Sequence, residues 1–273
     1  MYGIIKGKGF LAIMAEIINL WRDESVGATL TLPDMAPYAP VAPAMLVIPG
    51  GGYGCVCMAS EGTPIAARFT ELGYRCFILT YRVKPHAYPA PLQDAVRAMK
   101  YIRGNAAKFR VNPAMVAAVG FSAGGHLAAS LGTLWDTVDA SDGDALDAID
   151  PVPNAIALAY PVITGGEKAH RGSVLNWVGH EPSAEDIAFF SLENHVTEKT
   201  PPTFLWSTIE DNLVPCENAL LYFEAMRAAK RPCDLHIFPH GHHGMQMGYG
   251  RRDIALWPEM VRNFTTDTCG FAF

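Results

Sequence analysis

Three short stretches hold residue types able to do chemistry together. The first runs from Met115 to Leu127, M-V-A-A-V-G-F-S-A-G-G-H-L: an apolar run, then G-x-S-x-G as Gly120-Phe121-Ser122-Ala123-Gly124, then a helix-like sequence. A serine so placed sits on a strand-to-helix turn too sharp for neighbouring side chains, which accounts for the flanking glycines and lifts the hydroxyl above the sheet. The first free N–H groups of the next helix point at whatever that hydroxyl attacks. A serine hydroxyl is a poor nucleophile until a base takes its proton, and the base needs a carboxylate to fix its tautomer. Both follow later in the chain. Ile209-Glu210-Asp211-Asn212-Leu213-Val214-Pro215 offers two acids, and Pro239-His240-Gly241-His242-His243-Gly244 offers three histidines. Grouped histidines also raise the question of a metal, with His236 on the preceding strand. No carboxylate or cysteine lies beside them at convincing zinc spacing, so no metal is expected. His126, one turn beyond the serine, reads as a satisfied structural histidine rather than a second base.

Positioning these residues falls to alternating strands and helices. Ala15 to Leu32 reads as one or two antiparallel edge strands, and Ala44 to Ile48, Arg75 to Tyr81, Ala155 to Val162, Pro202 to Thr208 and Cys233 to Phe238 read as further strands. Helices are predicted over Glu61 to Leu72, after Ser122, over Glu217 to Lys230 and over Asp253 to Asp267. Another follows Tyr88-Pro89-Ala90-Pro91, where Leu92, Ala95, Val96, Met99 and Ile102 form the stripe expected against a sheet. This alternation implies a mostly parallel sheet joined by right-handed crossovers. The acid loop and the histidine loop both lie at carboxyl ends of strands, where open α/β sheets place their ligands. Pro49-Gly50-Gly51-Gly52-Tyr53 ends another strand there, and its glycines serve either a close backbone approach to a ligand or a plain tight turn. Asp136 to Pro153 reads as a surface loop. The segment 164–201 has no clean period and is expected to be an irregular insertion, a source of lids and substrate walls or an excursion without a role.

The 273 residues are half hydrophobic and 18% charged, with a net charge of −6, which fits one globular α/β domain over residues 15–273. No basic stripe exists, which argues against nucleic acid or an anionic membrane as partner and for a small neutral or mildly polar substrate. Six scattered cysteines without paired spacing read as reduced thiols, and a cytoplasmic location is expected. Residues 1–16 carry two lysines before a short apolar run that Glu16 interrupts; residues 1–14 are expected to be a disordered or misassigned start, with Met14 an alternative initiator, rather than a targeting segment. Short edge strands and the final helix leave a homodimer open.

From about Ala44 onward the chain resembles an α/β-hydrolase of the acetyl esterase type. It is similar to acetylxylan esterase and lipase-like proteins that carry the blocks P-G-G-G-Y, G-F-S-A-G-G-H-L, D-x-x-V-P and H-G, all present here. The resemblance implies an α/β-hydrolase fold, a three-layer sandwich with a mostly parallel central sheet. It further implies a serine carboxylesterase cleaving short-chain esters, acetyl above all, on a carbohydrate or other small molecule, through an acyl-enzyme and without a cofactor. By matching position, Ser122 is the nucleophile, Asp211 rather than Glu210 the acid, and His243 the base; Gly51, Gly52 and Ala123 supply oxyanion N–H groups. Tyr53, Glu61, Tyr81 and Asp94 are expected to shape the pocket or brace loops, and Tyr53, His170 and Trp177 are candidate substrate contacts. Pro49 stands where many lipase-like relatives have a histidine, which alters what braces the glycine loop. Cys55 and Cys57 read as space-filling thiols. Three rivals remain: an amidase such as an arylformamidase, a peptidase on the same scaffold, and a non-catalytic binding module, the last opposed by the filled triad positions.

Overall fold

The computed structural model describes residues 14–33 and 39–273. In chain order the strands are β1 (Met14–Asn19), β2 (Thr29–Pro33), β3 (Ala42–Ile48), β4 (Arg75–Thr80), β5 (Val111–Phe121), β6 (Ala155–Ala159), β7 (Thr203–Thr208) and β8 (Cys233–Phe238). The helices are α1 (Thr63–Glu71), α2 (Ala90–Gly104), α3 (Ala106–Phe109), α4 (Ala123–Thr133), α5 (Arg171–Val178), α6 (Ala184–Phe190), α7 (Glu217–Ala228) and α8 (Trp257–Asp267). The strands form one eight-stranded sheet in the order β1-β2-β4-β3-β5-β6-β7-β8. β1 pairs antiparallel with β2, and β2 with β4; every later pairing is parallel. The start expected to be disordered or misassigned lies outside the described residues except for Met14, which opens β1.

Register brings the carboxyl ends together. Ile48 of β3 pairs with Gly120 of β5, and Phe121 with Ala159 of β6, so the glycine loop and Ser122 leave the sheet side by side. Thr208 of β7 pairs with Phe238 of β8, which sets the acid and histidine loops next to each other. Alternation along the strands divides the core in two. Leu46 and Ile48 face one layer with Leu92, Val96 and Met99 of α2, Leu127 and Leu131 of α4, and Tyr222 and Met226 of α7. Met45 and Val47 face the other, with Ile65 and Phe69 of α1 and Trp257, Val261 and Phe264 of α8. Each such apolar side chain, once buried, contributes about 1.5–3 kcal/mol relative to exposure, and a one-residue slip would exchange the side chains packed in the two layers, which fixes the register.

Two segments are tied to the core more firmly than a plain loop or excursion requires. The Asp-rich stretch after α4 is fastened to α2 by Arg97, buried at 2% exposure, which ion-pairs with Asp144 and Asp147 and donates to the Leu20 carbonyl. The segment 164–201 contains α5 and α6 and sends Trp177, Phe190 and Leu192 into the core. Much of this insertion is therefore structural wall. Among the described residues, no helix is long and apolar enough to cross a membrane.

Candidate active site

Ser122 occupies the turn between β5 and α4 with φ 53° and ψ −121°, a strained conformation for a non-glycine residue. Close packing on either side explains the glycines. A Cβ at Gly120 would stand 2.2 Å from the Gly124 carbonyl oxygen, and one at Gly124 would stand 2.3 Å from that of Ile48. The turn presents the Ser122 hydroxyl to His243: Oγ lies 2.9 Å from Nε2. His243 Nδ1 donates to Asp211 Oδ2 at 2.7 Å, which leaves Nε2 as the acceptor for the serine proton. Asp211 is 3% exposed, and its other oxygen accepts from the N–H groups of Leu213 at 3.0 Å and Val214 at 2.9 Å. The carboxylate is thereby held while its loop turns back.

Other acids and histidines point elsewhere. Glu210 is paired with His240 at 2.8 Å and accepts from the Gly241 N–H at 3.0 Å, which pins the histidine loop to the acid loop. His242 Nδ1 lies 2.6 Å from the His243 carbonyl oxygen, so the three loop histidines face three different partners. His126 is fully buried; its Nε2 donates to the Phe190 carbonyl at 2.9 Å and its Nδ1 accepts from the Tyr53 hydroxyl at 2.8 Å. Desolvation pushes its pKa down to about 3, so the ring is neutral throughout the working pH range.

The glycine loop after β3 is held by its carbonyls. The Pro49 carbonyl accepts from the Tyr81 hydroxyl, that of Gly50 from the Cys57 N–H, that of Gly51 from the Gly54 and Cys55 N–H groups, that of Gly52 from the Asn176 amide, and that of Tyr53 from the Lys84 N–H. Gly51 holds φ 130°, and a Cβ there would stand 2.2 Å from the Cys55 carbonyl oxygen. The Gly50 N–H donates to Glu61 at 2.8 Å, and the Tyr160 hydroxyl donates to the other Glu61 oxygen at 2.8 Å. Burial raises the Glu61 pKa, opposed by those two hydrogen bonds and by nearby His243. Among the described residues, the N–H groups of Gly51, Gly52 and Ala123 find no acceptor. They are the donors available to a developing oxyanion, next to a Gly50 whose Cβ position lies 3.0 Å from Ser122 Cβ.

The three expected substrate contacts divide. Tyr53 is wholly buried and spends its hydroxyl on His126, so it braces the loop and is corrected to that role. Trp177 is also buried, its ring centroid 4.5 Å from that of Tyr88 and 5.6 Å from that of His126, and it belongs to the core. His170 stays at the rim as the N-cap of α5. Its Nδ1 accepts from the Ser173 N–H at 3.3 Å, and its Cε1 lies 3.7 Å from a Cβ position on Gly52. Burial and nearby His243 lower its pKa, and with Nδ1 acting as acceptor the ring proton of the neutral form lies on Nε2. Asp94 holds Arg82 and the Trp21 indole, so it braces loops. Sequence reasoning missed Tyr160, whose ring lies 5.1 Å from that of His243, and Asn176 and Asn218. Asn218 accepts from the N–H groups of Ile163 and Thr164 and donates to the Lys168 carbonyl. Tyr160 follows directly on β6 and was findable by the same strand-end rule that picked out Asp211.

Known proteins share this arrangement of chain. The BD-FAE family profile matches residues 31–226. The chain is 40% identical over 205 residues to endo-1,4-beta-xylanase B of Butyrivibrio fibrisolvens, covering 74% of this chain and 32% of that protein. It is 32% identical over 217 residues to an acetylxylan esterase of Xylanibacter ruminicola, covering 78% and 43% respectively. The aligned part thus spans less than half the length of those curated relatives. Among solved structures, an acetyl ester-xyloside bifunctional hydrolase from Caldicellulosiruptor lactoaceticus superposes with a TM-score of 0.88 at 34% identity, covering 97% of this chain and 100% of that one. With its sheet order, its turn-borne serine and this profile match together, the chain belongs to the BD-FAE family of α/β-hydrolases.

Proposed function

We propose that this protein is a serine carboxylesterase removing short acyl groups, acetyl above all, from hydroxyls of a carbohydrate. The observation that carries the reading is the continuous contact from Asp211 through His243 to Ser122, set beside backbone N–H groups without acceptors. His243 Nε2 takes the Ser122 proton as Oγ bonds to the acyl carbon, and the carbonyl electron pair moves onto an oxygen held by the Gly51, Gly52 and Ala123 N–H groups. Collapse breaks the ester C–O bond, and the alcohol leaves with the proton from His243. Water then attacks the acyl carbon with His243 again as base, freeing the acid and restoring Ser122. Asp211 stays charged and steadies the imidazolium in both halves.

The short acyl preference is supported by relatives whose names refer to acetyl esters. The carbohydrate side is supported by relatives whose names refer to xylan or xylosides. The six free thiols fit a reducing compartment such as the cytoplasm. A homodimer would pair through the end strand β8 or through α8, and sedimentation velocity reads it.

Ser122→Ala should abolish covalent labelling by a fluorophosphonate while the fold persists by circular dichroism; continued labelling would move the nucleophile elsewhere. On a nitrophenyl ester series the wild-type protein should favour acetate, and a preference for chains of about eight carbons or more would reject the short acyl site. Parallel rates on formyl-kynurenine and an aminoacyl amide separate the amidase and peptidase readings.

A further inference from the structure

The alcohol leaving a nearly enclosed serine needs a seat outside the triad, and a cavity of about 300 Å³ lies one residue beyond His170. It opens between the first turn of α5 and the start of α6, lined by Gly165, Arg171, Gly172, Leu175, Glu181 and Ile187. One imidazole separates it from the oxyanion loop. His170 Cε1 lies 3.7 Å from a Cβ position on Gly52 and 3.3 Å from one on Gly172. A sugar chain whose ester carbonyl lies over the glycine loop would reach this cavity by running past His170, where Gly172 has no side chain to stand in the way.

The lining suits a polyhydroxylated ring. Arg171 and Glu181 make no ion pair or side-chain hydrogen bond among the described residues, so both keep their full capacity for hydroxyl groups. Leu175, at 43% exposure, and Ile187 offer apolar surface to the C–H face of such a ring. His170 adds a third polar partner, since its Nδ1 is occupied by Ser173 and its proton lies on Nε2. A volume of about 300 Å³ is at the small end for a ligand site and accommodates a ring rather than a polymer.

We propose that this cavity is the subsite for the sugar ring next to the one that bears the ester, with Arg171 and Glu181 as its hydroxyl-binding side chains. This rests on the carbohydrate esterase reading above. The test compares an acetylated xylobiose with nitrophenyl acetate in the wild type, Arg171→Ala, Glu181→Gln and Leu175→Trp, the last filling the cavity from an exposed position. The polar variants should raise KM for the acetylated disaccharide about tenfold and Leu175→Trp should raise it further, while kcat/KM on nitrophenyl acetate stays within about twofold. Wild-type activity on the disaccharide that all three variants retain would overturn the subsite alone. Cleavage of nitrophenyl acetate with no deacetylation of any sugar would overturn the carbohydrate reading and the subsite with it.

Discussion

Asp211 spends one carboxylate oxygen on His243 and the other on two backbone N–H groups, so its position follows from its own loop rather than from the histidine. An amide at that place would present an N–H₂ group to His243 Nδ1 and favour the opposite tautomer, leaving Nε2 protonated and without the lone pair that takes the serine proton. Asp211→Asn should therefore lower kcat on nitrophenyl acetate by about 10³–10⁴ with little change in KM. An unaltered kcat would transfer the acid role to Glu210. Ser122, Asp211 and His243 were legible in the sequence because each lies just after an apolar strand with glycine or proline punctuation, and strand ends of a parallel sheet must share an edge. Tyr53 and Trp177 were misread because an aromatic ring with one polar atom suits a rim and a core equally well, and residue type alone does not record burial. The braces Tyr160 and Asn176 reach partners 99 and 124 residues away, separations that no local pattern reveals.

The glycine loop, α4 and the end of α6 act as one mechanical unit through His126, which links Tyr53 to the Phe190 carbonyl and stacks on the Phe190 ring at 3.9 Å. Tyr53→Phe keeps the ring and removes the hydroxyl, leaving the buried His126 Nδ1 without a donor. The cost should be about 1–3 kcal/mol, read as a melting temperature lower by several degrees together with reduced kcat. A melting temperature equal to that of the wild type would mean that the hydroxyl does not hold the loop. Sequence periodicity could not find α5 or α6: at 8 and 7 residues they are too short to repeat an apolar stripe, and their buried side chains pack in a cluster rather than along one face. By contrast α2, at 15 residues, displays its stripe openly, and all five predicted positions are buried.

Across the whole molecule the buried neutral His126 ties stability to pH. Its folded pKa of about 3 lies below the ordinary histidine value, so its contribution is complete above about pH 6.5 and fades as the unfolded chain takes up the proton. Acting alone it should cost about 2 kcal/mol between pH 7 and pH 5. Buried Glu61 and Asp94, whose pKa values are raised, act in the opposite sense as their carboxyls protonate. Denaturant titration of the wild type and His126→Asn at both pH values isolates the histidine: the variant should lose that slope, and equal slopes would contradict the assignment. At the far side of the sheet, β2 covers the open side of β4, whose run R-C-F-I-L-T is apolar and rich in strand formers. Trp21, just beyond β1, anchors that hairpin by donating to Asp94. The hairpin therefore works as a guard against self-adhesion: bared, β4 would offer an unpaired ladder of N–H and C=O groups to any neighbouring chain, a template for aggregation that has nothing to do with the serine.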